Sequence, residues 1–212
     1  MLMKKFLAFL FIFFFGVVSS LRAEKTEADV RNFLNEKGQK LIITLGSSDL
    51  EEKYDILDEM FENNVDVDYI ARFVMGQYYR NMTDEQKKKY HELFKRYIVS
   101  LYKSYPLDFE TKGLGFEISA VKKNGKYFDA STIVDLPEKY QTEAVKKVSV
   151  DFKLTENNGQ FQLVDLKIGE VSMIVTLRNR FSNMIKEAEE EIDWFLEDFE
   201  DLTKSNEENV KL

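Results

Sequence analysis

Val148-Ser149-Val150-Asp151-Phe152-Lys153-Leu154 alternates apolar and polar residues at every step. A period of two predicts a strand with one face buried and the other in water. Reading outward, Asn157-Asn158-Gly159 supplies a turn and Phe161 to Ile168 the next strand. The apolar phase changes after Leu163, which predicts a bulge. Upstream, Phe116, Ile118 and Ala120 alternate with polar residues. Asn124-Gly125 is a hairpin signal, and a strand near Tyr127 to Leu136 ends at Pro137. The centre of the chain therefore reads as about four antiparallel strands.

The flanks switch to helical spacing. Val30, Phe33, Leu34, Leu41, Ile42 and Leu45 follow Thr26, an expected N-cap. Ser48 and Glu51 form a capping-box pattern before Leu50, Tyr54, Leu57 and Phe61. A third helix is expected from Asp66 to Tyr79. Thr83 and Gln86 form another capping box before a long helix carrying Tyr90, Leu93, Phe94, Tyr97, Ile98 and Leu101, which Pro106 stops. After the strands, one long helix is expected from near Val171, with a stripe running from Ile174 through Phe181 and Ile192 to Phe199. The polar tail, 203–212, is expected to fray. Helices, then strands, then a helix is α+β segregation. The expected architecture is a curved antiparallel sheet with helices on one face, enclosing a space, in one domain over 24–202.

Residues 1–20 read as a signal peptide. Lys4 and Lys5 precede a 13-residue apolar run from Phe6 to Val18, and small residues follow at Ser19, Ser20 and Ala23. A bilayer span needs roughly 20 apolar residues, so the run suits a cleaved leader better. Cleavage fits after Ser20 or after Ala23. Loss of Lys4 and Lys5 moves the formal charge from −8 to −10. An acidic chain is a poor partner for nucleic acid and for anionic membrane surfaces. With no Cys, lipoprotein anchoring, disulfides and thiol chemistry are closed.

Catalytic equipment is sparse. His91 is the only histidine, off the main apolar stripe, and is expected at the surface. It has no second His or Cys to complete a zinc site or a nucleophile–base pair. No metal and no cofactor is expected. Asp66 with Asp68, and Asp198 with Asp201, are acid pairs at surface spacing, more simply read as a solvated face. The run Glu189-Glu190-Glu191 reads as solubilising charge or as an acidic docking face. Eighteen Phe residues fit a large core, or the lining of a site for an apolar ligand.

Two segments carry a resemblance. One is Ile70-Ala71-Arg72 with Gly76 and Arg80, followed by Thr83 and Gln86. The other is Asp165, then Val171-Ser172-Met173-Ile174, then Arg178 and Phe181. Behind an export signal these resemble the MlaC (toluene-tolerance) family of periplasmic phospholipid-binding proteins. The pattern departs at two expected Trp positions, which hold Tyr79 and Phe161, and at Glu170, where a Gly is usual and Gly169 stands one place early.

The resemblance implies a nuclear-transport-factor-like cone around an apolar cavity, in a non-enzymatic monomer. It implies a phospholipid ligand, an inner-membrane ABC-type lipid transporter and an outer-membrane lipoprotein complex as partners, and a part in outer-membrane lipid asymmetry. Two acyl chains of about 15 carbons at about 0.8 kcal/mol per CH₂ amount to roughly 25 kcal/mol, so an apolar cavity dominates over any headgroup contact. Ile70, Phe73, Val74, Leu93, Phe94, Tyr97 and Ile98 are the expected helical wall. Val148, Val150, Phe152, Val164 and Leu166 are the expected sheet wall. Arg72 and Arg178 are headgroup or structural candidates. Arg178 is read either as pairing a carboxylate such as Asp165 or as standing at the cavity mouth near a phosphate. The alternatives are a small cone-shaped hydrolase or isomerase and a periplasmic protein-docking module.

Overall fold

The computed structural model describes residues 24–104 and 110–210. The proposed leader, with both its cleavage positions, and Pro106 lie outside the described residues.

Helix α1 (Glu27–Gly46) opens with the expected cap: the Thr26 hydroxyl accepts from the Asp29 N–H, and Asp29 returns a bond to the Thr26 N–H. Helix α2 (Leu50–Asn64) starts one residue later than expected, on Asp49 rather than Ser48, because the Asp49 carboxylate reaches the Glu52 N–H. Helix α3 (Val67–Met75) is capped by Asp66 and is shorter than expected; Tyr78–Asn81 turn instead as a 3₁₀ segment. Helix α4 (Asp84–Lys103) carries the full Thr83–Gln86 capping box.

The sheet is a five-stranded antiparallel meander in the order β1-β2-β3-β4-β5. Its strands are β1 (Gly115–Asn124), β2 (Tyr127–Asp135), β3 (Lys147–Asn157), β4 (Gln160–Ile168) and β5 (Val171–Ser172). The two-residue strand β5 raises the count above four; two residues are too few for alternation to register in sequence. Asn124 pairs with Tyr127, and Asn157 with Gln160, so both expected hairpin turns form. The bulge falls at Val164, which is left between the pairs Lys153–Asp165 and Leu154–Leu163. Ile168 pairs with Val171 across Gly169-Glu170. Gly169 sits at φ +60, where the first central residue of such a turn requires glycine; the glycine one place early is therefore the one this hairpin uses.

The expected last helix is two helices, α5 (Met173–Glu187) and α6 (Ile192–Glu208). The Glu190 N–H reaches the Ile185 carbonyl at 2.9 Å and the Glu189 N–H reaches Lys186 at 3.1 Å. That is a Schellman ending, with Glu189 at the left-handed position, φ 54, that glycine usually fills. The acidic run is thus a turn between helices. Helix α6 continues well past Thr203, which is fully buried, and Arg96 holds Glu207 through two bonds of 2.6 and 2.9 Å. The expected polar tail is helical as far as Glu208.

Two apolar clusters organise these elements. One joins α3, α4, α5 and α6 around Tyr90, Phe94, Tyr97, Phe181, Phe195 and Phe199. The other packs Val30 and Leu34 of α1 onto Phe128, Ala130, Leu154 and Phe161 of the sheet. Helices α2, α3 and α5 reach the sheet mainly at β4.

Candidate functional site

The register builds one apolar face from consecutive rows. Lys123, Phe128, Leu154 and Leu163 are neighbours across four strands; Val121, Ala130, Phe152 and Leu166 form the next row. Ile118, Thr132, Val150, Ile168 and Val171 then cross all five strands. Phe116, Val134 and Val148 form the last row.

Burial is uneven on this face: Thr132, in the middle of the third row, is 1% exposed, and exposure rises toward β5. Phe128 and Leu154, beneath the N-terminal half of α1, are 2% and 1% exposed. Val148, Val150 and Val134 are half-buried, while Ile168 and Val171 reach 47% and 57% exposed. Leu41, Ile42 and Leu45 of α1, and Ile56, Leu57 and Met60 of α2, are likewise half-buried. Helix α1 lies close over β1, where Gly38 meets the Phe116 ring and Arg31 reaches the Ile118 carbonyl at 2.8 Å. Helix α2 is tied to α4: the Tyr102 hydroxyl donates to Asp58, and Lys103 Nζ lies 2.8 Å from the same carboxylate. One end of the face is therefore sealed, and the other carries apolar side chains that no close-packed layer covers.

The opposite face is polar. Lys153 stands between Asp129 and Asp165 in register, with Nζ 2.9 Å from Asp129, and Lys167 pairs with Asp151. These residues line a hollow of about 280 Å³. Its charges are mixed: Asp129, Asp151 and Asp165 stand with Lys153 and Lys167, and Lys153 is ion-paired to Asp129. Among the described residues, no group of three or more His, Asp or Glu is placed to hold a metal ion.

The expected lining residues do not form one surface. Ile70, Val74, Leu93, Phe94 and Tyr97 are packed inside the helical cluster, with Phe73 and Ile98 on its half-buried rim. Val148, Val150, Phe152 and Leu166 share the apolar face, half-buried, and Val164 is the fully buried extra residue of the bulge. Phe116, Val134 and Ile168 belong to the same face and were absent from the expected wall. Phe116 and Ile168 are both readable from alternation: Phe116 is in phase with Ile118, and Ile168 continues the Val164–Leu166 phase beyond the bulge.

Asp165 and His91 also differ from expectation. Asp165 does not pair with Arg178. Its carboxylate accepts from the Leu166 N–H and the Ser172 hydroxyl at 2.8 Å and from the Ile174 N–H at 3.3 Å. Ser172 in turn accepts from the Val175 N–H at 3.3 Å. Asp165 and Ser172 together cap α5, which explains why the motif holds an Asp seven residues before a Ser. The Arg178 guanidinium lies 5.2 Å from the centre of the Phe73 ring, over Gly76. Gly76 has φ 57 and ψ −122, a backbone that calls for glycine, and a Cβ there would displace the end of the Arg178 side chain, 2.9 Å away. Arg72 is exposed. His91 is not a free surface residue: Nε2 is 2.9 Å from the Tyr79 hydroxyl and Nδ1 is 2.9 Å from Asp68. It joins α4 to α3, which a single helical wheel does not reveal. The two aromatic departures keep packing roles, Tyr79 through this bond and Phe161 by meeting Phe128 edge-on at 5.6 Å.

The class that these features define is an α+β scaffold with an open antiparallel sheet, helices on its apolar face and one end of that face loosely covered. The model of the MlaC protein family matches residues 36–201, and the chain belongs to that family. Among solved structures it is similar to a phospholipid-binding protein from Ralstonia solanacearum, determined in complex with a phospholipid. The TM-score is 0.65 at 12% identity, covering 86% of this chain and 99% of that one; the likeness is one of fold. No curated protein matches the sequence.

Proposed function

We propose that this protein is a non-enzymatic carrier of phospholipid, which holds acyl chains against the open half of the apolar sheet face. The observation that carries this reading is the loss of burial across one row of the apolar face, from 1% exposed at Thr132 through half-buried Val150 to 57% at Val171. Side chains left half-covered in a protein that elsewhere packs tightly are suited to complete their burial with a ligand. Val148, Val150, Phe152 and Leu166 form the sheet side of the site, extended by Phe116, Val134 and Ile168. Ile98, on the rim of the helical cluster, is its helical candidate. Phe73, the other rim residue, lies under Arg178 and against Tyr69, which meets Tyr127 on the polar face. Ile70, Val74, Leu93, Phe94, Tyr97 and Val164 back the walls without touching ligand. Membership of the MlaC family and the phospholipid held by the Ralstonia protein support the ligand class. The family also supports a periplasmic location, and exchange between an inner-membrane lipid transporter and an outer-membrane lipoprotein complex, which maintains outer-membrane asymmetry.

The test is purification of the mature chain from a periplasm, followed by organic extraction and mass spectrometry. About one phospholipid per chain is expected. A folded protein that comes out empty and takes no lipid from liposomes overturns the carrier reading.

A further inference from the structure

We infer that Arg180, rather than Arg178, meets the phosphate of the bound phospholipid. This rests on the carrier reading and names the headgroup contact of the same site. Both arginines are exposed on α5, but they sit on opposite flanks of the helix. Arg178 is committed to α3, over Phe73 and Gly76. Arg180 lies on the other flank, its guanidinium 5.5 Å from the centre of the Tyr97 ring on α4. Among the described residues it forms no ion pair, in a chain whose formal charge is −8.

What precedes Arg180 on its own flank is apolar. Met173, Leu177, Arg180 and Met184 recur at helical spacing, so they share one strip of α5. Met173 is 41% exposed, and Leu177 and Met184 are half-buried. Met173 directly follows strand β5, where Val171 pairs with Ile168 at the most exposed end of the apolar row. Among the described residues, three exposed large hydrophobics, Ile168, Val171 and Met173, follow one another at this end of the face. The strip therefore runs from the open end of the acyl-chain face to a guanidinium about 10 Å further along the helix. Apolar surface leading to a planar five-donor cation matches a phospholipid end to end: chains on the sheet face, glycerol over Met173 and Leu177, phosphate on Arg180. The Tyr97 ring anchors the guanidinium by a cation–π contact, and its N–H groups supply the phosphate contact in this assignment.

The experiment compares delipidated wild type, Arg180→Gln and Arg178→Gln. Each is loaded from dioleoylphosphatidylglycerol vesicles and, separately, from a dioleoylglycerol emulsion, which offers the same chains without phosphate. Arg180→Gln is expected to retain about tenfold less phospholipid, the scale of one charge-assisted hydrogen bond, and unchanged dioleoylglycerol. Circular dichroism verifies that both variants are folded, and Arg180→Lys is expected to recover part of the loss. Equal losses of both lipids, no loss of either, or a phosphate-specific loss in Arg178→Gln instead overturns the assignment while leaving the carrier reading intact. A wild type that takes up neither lipid removes the carrier reading, and this inference with it. Inorganic phosphate titrated into delipidated protein identifies the source: if it raises the melting temperature of wild type but not of Arg180→Gln, the site is for free phosphate and the lipid assignment fails.

Discussion

The two apolar regions of this protein use the same residue types and are built to opposite ends. In the helical cluster, Phe181 is fully buried and its ring lies 4.9 Å from Phe199, 5.7 Å from Phe94 and 5.9 Å from Tyr97 and Phe195. On the open half of the sheet face, Val148 and Val150 stay half-buried and Ile168 stays 47% exposed. Close packing returns dispersion energy for every contact and leaves no room for a guest. Loose packing forgoes that energy and keeps surface in reserve for a ligand to cover. The helical cluster is where stability is concentrated, and the sheet face is where binding is available.

That contrast can be broken by substitution. Phe181→Ala empties the centre of the aromatic cluster and is expected to cost about 3–5 kcal/mol in urea unfolding, with the lipid content of the surviving folded protein unchanged. If lipid is lost in proportion to stability, the two regions are not separable. Val150→Asp places a carboxylate in the middle of the cross-sheet row. It is expected to cost about 1–3 kcal/mol and most of the extractable lipid; a variant with full lipid content refutes the role given to the sheet face. Glu189→Gly relieves a side chain from a left-handed backbone and is expected to stabilise the helical region by about 1 kcal/mol, read as a higher urea midpoint, without effect on lipid.

The smallest effect is one of pH. Lys204 and Lys89 hold the half-buried Glu200 carboxyl down at about 2, against an ordinary value of 4.5. A carboxyl depressed in the folded state stabilises above its unfolded value, and that stability is lost as pH falls from about 4.5 through about 2. Both partners are solvent-exposed, so screening keeps the contribution slight. Glu200→Gln is expected to flatten the melting temperature between pH 4.5 and pH 2 relative to wild type; an unchanged slope assigns the acid sensitivity elsewhere.

What the sequence by itself determined is local. The strand alternation from Val148 to Leu154, the bulge after Leu163, the turns at Asn124-Gly125 and Asn157 to Gly159, and the caps at Thr26 and Thr83 all rest on neighbours within a few residues. Steric limits on φ and short-range hydrogen bonds set them before the chain is compact. Fold class followed from their order, and the family from the spacing of Arg72, Gly76, Asp165, Ser172 and Arg178.

Tertiary structure decided the rest. Phe94 and Tyr97 lie on an apolar helical stripe that fits a cavity wall and a solid core equally well; only Phe181, Phe195 and Phe199 arriving from α5 and α6 fill the space beside them. The break at Glu189 has no glycine or proline to announce it, and the apolar stripe continues in phase across it. Arg178 and Arg180 are two residues apart and chemically identical. One faces Phe73 and the other Tyr97 because two residues turn an α-helix through roughly 200°. Alternation and spacing record which side of an element a residue occupies. What stands opposite that side depends on contacts far along the chain, and those exist only once it has folded.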